Sequence, residues 1–246
     1  MALSYTQWLH TQWPAGTIEP RPETDRDGRT SVRGVRVAGE LAGHVLLREA
    51  ADSGARAVRA IAAERGFKPS ADPSVPDLAV IGAGAAGIAA AIEARRAGLS
   101  VVVYEAAAPF ASIAGLARGR SIVTPTAAAP APAPGDGASA GALAITAGRK
   151  EDVLADLERQ RREAGIETEA SLVERIESRK GAVALHHAGG RVTLAQRAIV
   201  AIGRSGVFPP LGCPGDDLDK VRTRILDPTE HAGKRALVVG DGDHAI

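Results

Sequence analysis

Two short apolar runs flank an alanine-rich stretch in the first half of the chain. Residues 77–81 and 100–104 are each typical of a strand buried on both faces, because apolar side chains follow one another without alternation. Between them, residues 85–97 carry two isoleucines four positions apart, the spacing of one helix face. Gly98 follows, where a glycine commonly ends a helix. The pattern predicts a βαβ unit over residues 76–106.

The turn from the first strand into the helix has the spacing Gly-x-Gly-x-x-Gly. Its residues are Gly82, Ala83, Gly84, Ala85, Ala86 and Gly87. The first glycine permits a tight turn, the second leaves room for a pyrophosphate, and the third lets the helix pack closely on the strand. Free backbone N–H groups in the first helical turn would face the phosphates. This segment is therefore a candidate phosphate-binding loop, although a glycine-rich packing turn is the structural alternative.

An acidic residue supports the ligand-binding interpretation. Glu105 stands at the end of the second strand, eighteen residues after Gly87. A carboxylate at this position accepts hydrogen bonds from the ribose hydroxyls of an adenine dinucleotide. Its negative charge also disfavours a 2′-phosphate on that ribose. The strand, turn, helix and acid together predict a dinucleotide with an unphosphorylated ribose, and they leave FAD and NAD both open.

The other segments are assigned from their periodicity and composition. Apolar residues at helical spacing predict a helix over residues 45–63, in which Gly54 indicates close packing. A charged amphipathic helix is expected over residues 150–164. Gly189 and Gly190 mark a hairpin turn. Predicted strands cover residues 166–169, 172–176, 183–186, 192–194, 198–203 and 235–239. Residues 127–141 are rich in Ala, Pro and Gly and read as a flexible loop, with a domain boundary as the alternative.

Composition narrows the class of protein. The chain has 246 residues, 45% of them hydrophobic and 24% charged, with a net charge of +1, so it can form one large domain or two small ones. A net charge close to zero and a content of only 3% aromatic residues argue against nucleic-acid binding. No apolar run approaches the ~20 residues that span a membrane, and residues 1–9 lack a signal-peptide pattern, so we expect a cytoplasmic protein. The single cysteine, Cys213, is expected to be a buried or incidental thiol.

The chain resembles the two-dinucleotide-binding-domain flavoproteins, specifically thioredoxin reductase-like pyridine nucleotide oxidoreductases. Residues 30–40, from Thr through an apolar strand to Gly39 and Glu40, are similar to the second flavin motif of that family. The family has Asp where this chain has Glu40, and its motif lies at the C-terminal end rather than before the glycine-rich loop. The resemblance therefore implies a permuted order, or the tail of an upstream repeat. It implies FAD as cofactor, with the acid at the ribityl chain and the following helix facing the flavin ring.

Further positions carry the same resemblance. Ala201 and Gly203 match a strand end that passes near the flavin, and Val173 is similar to a residue whose backbone meets the adenine. Near the end of the chain, Gly240, Gly242 and Ala245 resemble the first glycine-rich turn of the NAD(P)H-binding domain. We therefore divide the chain as follows. Residues 1–225 form the FAD-binding domain, with residues 1–70 as its permuted flavin segment, and residues 226–246 begin an incomplete NAD(P)-binding domain.

The expected fold is α/β: a Rossmann-like FAD-binding domain with a parallel sheet, helices and a small antiparallel meander, followed by the start of a second Rossmann-like domain. The implied reaction moves hydride from NAD(P)H to FAD and passes electrons to an acceptor that is either a small molecule or a redox protein. With one cysteine the chain lacks the family's dithiol. No side chain is assigned as a catalytic acid or base. His186 and His187 would face opposite sides of a strand, so no metal site is expected.

Two other hypotheses remain at this stage. In the first, the glycine-rich turn binds NAD and the protein is a simple nicotinamide-dependent dehydrogenase. In the second, the chain is a truncated fragment that binds a dinucleotide without catalysing a reaction. The electron acceptor, the choice between NADH and NADPH, and a homodimeric assembly are left open.

Overall fold

The computed structural model describes residues 21–123, 142–203, 212–222 and 227–239. Ten strands lie in these ranges: β1 (Val35–Val37), β2 (Leu78–Ile81), β3 (Val101–Glu105), β4 (Ser121–Ile122), β5 (Gly148–Arg149), β6 (Glu169–Ala170), β7 (Val173–Arg179), β8 (Ala182–His187), β9 (Val192–Ala195) and β10 (Arg197–Val200). The α-helices are α1 (Leu47–Ala62), α2 (Ala85–Arg96), α3 (Ala111–Ala114) and α4 (Lys150–Glu163), and short 3-10 helices cover Gly39–Ala42 and Pro228–His231. No helix among the described residues is both long enough and apolar enough to cross a membrane.

The central sheet has five strands in the order β1-β10-β2-β3-β6, all parallel to their neighbours. The register places Val37 beside Val200, Val200 beside Ile81, and Ile81 beside Tyr104. The carboxyl ends of these four strands therefore stop at the same level. The predicted βαβ unit is confirmed as β2, α2 and β3, and Gly98 takes a left-handed φ of 73° just after α2.

The first described strand pairs with the last. β1 forms the edge of the sheet and is hydrogen-bonded to β10, more than 150 residues further along the chain. β10 in turn lies between β1 and β2. The segment before the glycine-rich turn thus adds a strand to the same sheet as the βαβ unit.

Helices cover one face of the sheet, and the antiparallel meander covers the other. α1 and α2 enclose a core of alanine, valine and isoleucine against β2 and β10. On the opposite face, β7, β8 and β9 form the predicted meander, and Val183 and Leu185 pack against Ala79 and Tyr104. The turn between β8 and β9 contains Gly189 and Gly190, both at positive φ, which confirms the predicted hairpin.

Gly54 explains the close approach of α1 to α2. A Cβ atom built on Gly54 would lie 2.0 Å from the backbone oxygen of Ala86, in the first turn of α2. No side chain larger than hydrogen fits at that distance. The close packing expected from a glycine inside a helical pattern is confirmed, and it places α1 directly against the glycine-rich turn.

A buried carboxylate joins three segments at the amino-terminal edge of the sheet. Asp77 is 2% exposed and precedes β2. One oxygen accepts from Ser70 N (2.5 Å) and Gln196 Nε2 (2.9 Å), and the other accepts from Ser100 N and Oγ (both 2.8 Å). Because a buried carboxylate is stable only when hydrogen-bonded, this network fixes where β2, β3 and β10 begin.

Three predicted strands differ in the structure. The strand expected over residues 198–203 is β10, which ends at Val200. The strand expected over residues 166–169 is reduced to Glu169–Ala170, because the N–H of Ile166 donates to Arg161 O and closes the end of α4. Residues 235–239 form no strand. The exposed fraction of Leu237 is 90%, and no described strand pairs with this run, so its apolar sequence has neither a hydrogen-bonding neighbour nor a surface to cover.

Candidate functional site

Four chain segments meet at the carboxyl edge of the parallel sheet. They are residues 38–40 after β1, residues 201–203 after β10, residues 82–87 after β2, and Glu105 at the end of β3. Backbone hydrogen bonds continue past the strands: Ala38 N donates to Val200 O (2.9 Å) and Ala201 N to Ile81 O (2.8 Å). In open α/β sheets, ligands bind outside this edge. The structure thus brings together segments that are distant in sequence.

The three glycines of the turn have different surroundings. A Cβ atom on Gly82, whose φ is 101°, would lie 2.5 Å from Ala201 O, and one on Gly87 would lie 1.9 Å from Gly82 O. These two glycines are required by the protein's own packing. A Cβ atom on Gly84 would meet no atom within 4 Å, and its φ of −76° is ordinary for any residue. The absence of a side chain at Gly84 therefore leaves an open space in front of the helix.

The N-terminus of α2 opens onto that space. Gly84 is the N-cap residue, and no side chain caps the helix. Among the residues that the structure describes, the backbone N–H groups of Gly84, Ala85 and Ala86 have no hydrogen-bond partner. Uncapped N–H groups at a helix N-terminus are an anion-binding arrangement. The donors and the cleared space both fit the pyrophosphate of a dinucleotide.

Glu105 holds the turn in shape from the neighbouring strand. One carboxylate oxygen accepts from Ala83 N (2.6 Å), and the other accepts from Ala107 N (2.9 Å). Each oxygen can accept a further hydrogen bond. The carboxylate is partly exposed beside the turn. Glu105 therefore has a structural role in the turn that the sequence did not indicate, and its contact with ribose hydroxyls stays a prediction.

Gly39 and Glu40 lie next to the turn in a 3-10 helix, Gly39–Ala42. A Cβ atom on Gly39 would lie 3.0 Å from the Cβ of Ala86. Gly39 N donates to the buried Ser53 Oγ of α1 (2.8 Å), which fixes the segment to the helix that follows it. Oε2 of Glu40 is 3.9 Å from the position of a Cβ on Gly203. The acid therefore faces the end of β10, and no described residue makes a hydrogen bond or ion pair with its carboxylate.

Val173 lies at the far side of the same edge. β6 pairs with the end of β3, and the next residue, Ser171, donates from its N–H to Glu105 O (2.9 Å). Val173 begins β7 two residues later and packs, partly buried, on the face of the sheet that carries Tyr104. The positions predicted for the ribose and the adenine are thus consecutive along the edge.

Phe110 stabilises the glycine-rich turn, a role that the sequence did not indicate. It is fully buried, has a left-handed φ of 54°, and its N–H donates to Ala83 O (3.0 Å). A left-handed conformation costs a non-glycine residue about 1–2 kcal/mol, so packing must hold it in place. Through its hydrogen bond to Ala83 O, Phe110 supports the glycine-rich turn. No local pattern distinguishes this phenylalanine, because its position depends on the loop after β3.

A buried polar network lies behind the predicted adenine position. His187 Nδ1 is 2.7 Å from Ser171 Oγ, and His187 Nε2 is 2.8 Å from Thr193 Oγ1. Tyr104 Oη donates to the same threonine oxygen (3.2 Å), and its ring meets the imidazole edge-on. Burial, followed by the nearby Arg191 charge, lowers the pKa of His187. The imidazole is therefore neutral near pH 7 and connects the meander to β3.

His44 is a second neutral histidine, near the start of α1. Its Nε2 is 3.3 Å from Arg56 Nη2, and because a guanidinium has no acceptor, the imidazole nitrogen must accept. Burial and the positive charge of Arg56 both lower the pKa of His44, although Glu49 opposes them. The contact fixes the segment between Gly39 and α1 without adding a positive charge to the site.

The remaining predicted residues contribute no described geometry to this edge. Gly240, Gly242, Ala245 and residues 127–141 lie outside the described residues. Cys213 is exposed, so its thiol is incidental rather than buried. His186 contacts Arg175 and Glu177, whereas His187 contacts Ser171 and Thr193, so the two rings have separate environments. Within the described ranges no group of three His, Cys, Asp or Glu side chains could hold a metal ion.

The fold and this edge define a class: Rossmann-like proteins that bind a dinucleotide across the carboxyl ends of parallel strands. Comparison with known proteins defines the family. The family model for pyridine nucleotide-disulphide oxidoreductases matches residues 76–246, more than two thirds of the sequence. The chain belongs to this family. No curated protein matches it.

Three solved structures are similar to parts of this chain. The bacillithiol disulfide reductase Bdr of Staphylococcus aureus is 17% identical, with a TM-score of 0.50, over 63% of this chain and 46% of that one. A thioredoxin reductase of Streptococcus pyogenes is 20% identical, with a TM-score of 0.41, over 58% and 40%. A flavin monooxygenase mutant of Stenotrophomonas maltophilia is 25% identical, with a TM-score of 0.41, over 52% and 38%. The chain spans less than half the length of each.

Proposed function

We propose that this chain is the FAD-binding part of a flavin-dependent oxidoreductase that oxidises NAD(P)H. Residues 82–87 would bind the pyrophosphate, Glu105 the adenosine ribose, and Gly39 and Glu40 the ribityl end of the cofactor. Ala201 and Gly203 would border the flavin, and the backbone at Val173 would meet the adenine. When bound, FAD supplies a hydride acceptor at the flavin N5 atom. The proposal rests on the family membership and on the geometry of the carboxyl edge.

One observation carries the assignment. Gly84 is the glycine of the turn for which the protein's own packing gives no reason, since a Cβ atom there would meet nothing. The space that it leaves open is faced by the N–H groups of α2, which are left without a cap. A phosphate in that position would explain both features. The negative charge of Glu105 would repel a 2′-phosphate on the adenosine ribose, which favours FAD or NAD over NADP.

The choice of FAD over NAD rests on the resemblance of residues 30–40 to the family's second flavin motif, and the position of Glu40 is compatible with it. Its carboxylate faces the end of β10 and lies on the far side of the turn from Glu105. Acids on both sides of the phosphate loop suit a ligand with hydroxyl groups at each end, which both FAD and NAD have. The ribityl chain of FAD offers hydroxyl donors to Glu40. The extra methylene of glutamate lengthens its reach, and Gly203 provides space for it.

We propose an electron acceptor that is separate from the described residues. The chain contains one cysteine, so it cannot form an internal redox disulfide from its own sequence. We propose that electrons leave to a small molecule or a separate redox protein. Residues 226–246, which include Gly240, Gly242 and Ala245, would begin the NAD(P)H-binding domain, in line with a family match that extends to residue 246.

The test is an absorbance titration of the purified chain with FAD, followed by anaerobic addition of NADH or NADPH. We expect the bound oxidised-flavin spectrum to form at one FAD per chain, and bleaching on addition of the reduced nicotinamide cofactor would show that these 246 residues suffice for hydride transfer. A Glu40→Ala variant should bind FAD about tenfold more weakly, because a charge-assisted hydrogen bond is lost. Saturable binding of NAD without any binding of FAD would instead identify the nicotinamide-dependent alternative. FAD binding without bleaching would support the non-catalytic alternative.

A further inference from the structure

A cleft of about 520 Å³ lies at the amino-terminal edge of the sheet, opposite the proposed flavin site. Its walls are the loop before β1, the residues after α1, and the start of β10. The charged residues of its lining are Arg29, Arg33, Arg36, Arg65, Arg197 and Glu64. Five arginines face one glutamate, an excess of four positive charges in a chain whose net charge is +1. The lining of this cleft is therefore basic, although the chain as a whole is nearly neutral.

Two of the arginines are held rigidly by the single acid. Glu64 Oε1 accepts from Arg36 Nη2 (2.9 Å), and Oε2 accepts from Arg197 Nε (2.8 Å). Arg36 is only 6% exposed, and a second donor reaches Asp27 O (3.0 Å). Burial opposes ionisation of Glu64, but the hydrogen bonds and charges of the two guanidinium groups outweigh it and lower its pKa. Each carboxylate oxygen of Glu64 is thus bonded to one of the arginines that line the cleft.

The other three arginines have no such partner. Within the described ranges the guanidinium groups of Arg29, Arg33 and Arg65 form no ion pair, and all three side chains are exposed. Arg29 and Arg33 project from a loop that is itself fixed. Thr30 Oγ1 donates to Val35 O (3.0 Å), and Arg33 O accepts from Ser178 Oγ (2.8 Å). These arginines are free donors mounted on ordered backbone.

The positive surface continues beyond this cleft. An adjoining hollow of about 220 Å³ shares Arg33 and Arg197 and adds Arg179, whose Nη2 lies 3.7 Å from Glu177 Oε2. The guanidinium of Arg197 lies over the ring of Phe67, 5.2 Å from its centre, so its position is supported on both sides. Repulsion among so many like charges in one concave wall is relieved when an anion binds between them.

We propose that this amino-edge cleft, lined by Arg29, Arg33, Arg65 and Arg197, binds a small polyanion that carries two or more neighbouring phosphate or carboxylate groups. Guanidinium groups bind both kinds of oxyanion through paired hydrogen bonds. A concave volume of about 520 Å³ suits a small molecule rather than the surface of an acidic protein. Because the cleft is at the opposite ends of the strands from Gly84, the polyanion and a dinucleotide can be bound together.

The test is isothermal titration calorimetry of the whole chain with two probes, tripolyphosphate and citrate, at low ionic strength, without and with added FAD. We expect at least one probe to bind at one per chain. The double variant Arg33→Glu with Arg65→Glu should bind it at least about tenfold more weakly, because two charged donors are lost and two like charges added. The double variant Arg96→Glu with Arg222→Glu makes the same charge change at exposed sites outside the cleft and should bind within about twofold of wild type.

Each outcome decides the proposal. Binding of tripolyphosphate alone identifies a phosphate ligand, and binding of citrate alone a carboxylate ligand. The proposal is overturned if neither probe binds, if the cleft variant binds as well as wild type, or if both double variants weaken binding equally. If the glutamate pair fails to fold, Arg33→Ala with Arg65→Ala takes its place, since it removes the donors without reversing charge. Binding to the cleft does not depend on FAD, so its failure and the failure of the proposed flavin function are separate results.

Discussion

Replacing Gly84 with valine should abolish FAD binding while leaving the protein folded. The residue has a φ of −76° and a ψ of −172°, a region that valine readily adopts. A Cβ atom there would meet no protein atom within 4 Å. Valine is a poorer N-cap residue than glycine, which lowers the free energy of unfolding by less than about 1 kcal/mol. Valine also restricts the unfolded chain, which raises the same free energy by less than about 1 kcal/mol. The free energy of unfolding should therefore change by less than about 1 kcal/mol.

The effect on binding is much larger, because the valine methyl groups occupy the space in front of the free N–H groups of α2. A hydrogen bond to a charged group contributes about 1.5–3 kcal/mol. If two phosphate contacts are lost, the affinity should fall by about 3–6 kcal/mol, or roughly 10²-fold to 10⁴-fold in Kd. Fluorescence titration with FAD measures the affinity, and urea unfolding of the same preparation measures the stability.

Two matched changes make the result specific. Gly148→Val lies in β5, where a Cβ atom would make an ordinary contact of 3.5 Å, and should retain FAD. Gly87→Ala would place a Cβ atom 1.9 Å from Gly82 O, so it should lose stability and FAD together. Full FAD affinity in the Gly84→Val variant would refute the assignment of the phosphate site, and a large loss of stability there would show that the space is not open.

Three further predictions concern the scaffold. Gly54→Ala should lower the free energy of unfolding, measured by urea unfolding, by about 2 kcal/mol. Overpacking against Ala86 O costs about 3 kcal/mol, and the higher helix propensity of alanine offsets about 1 kcal/mol of that cost. Asp77→Ala should lower the same free energy by about 3 kcal/mol, since buried donors lose their acceptor. The pKa of His187 is below its ordinary value in the folded state, so the unfolded chain binds its proton first as the pH falls. Stability should therefore decrease as the pH drops below about 6.5, and less so in His187→Gln, as measured by urea midpoints from about pH 8 to about pH 5.

Each of these predictions has an outcome that contradicts it. An unchanged or raised urea midpoint in Gly54→Ala would mean that α1 does not lie against Ala86. For Asp77, the variant Asp77→Asn keeps one acceptor oxygen and should fall between wild type and Asp77→Ala, whereas equal stability of all three would remove the buried network. An identical pH slope in wild type and His187→Gln would show that this histidine titrates in the folded chain as it does in the unfolded one.

The βαβ unit was predictable because its signals are local. Unbroken apolar runs, a glycine-rich turn of fixed spacing and a closing glycine all lie within about thirty residues, and each reflects a constraint that acts on the backbone where it stands. The role of Gly54 was visible for the same reason. The small meander was also recognised, since short strands and the glycines of its hairpin follow one another directly.

Features that depend on distant partners were not visible. Residues 235–239 have the composition of a buried strand, but a strand requires a neighbour, and no described strand accompanies it. The position of Phe110 depends on the loop after β3, and the residues next to it in the sequence do not indicate it. Glu105 was identified as a ligand-binding acid, but its hydrogen bond from Ala83 N depends on the pairing of β2 with β3 and was not predicted. The arginines of the amino-edge cleft come from three segments that meet only when β1 pairs with β10.

The position of β1 at the edge of the sheet has a consequence for how the protein could be built. Residues 21–67 pack on β10 and α2, yet their covalent link to β2 passes through the exposed residues 71–74. Such an exposed connection is where a chain tolerates being cut or rejoined. Two separately expressed pieces, divided within residues 71–74, should therefore associate and reconstitute the site. The order in which these segments are joined along the gene would then be free to change during evolution, because the packing around the proposed cofactor site would stay the same.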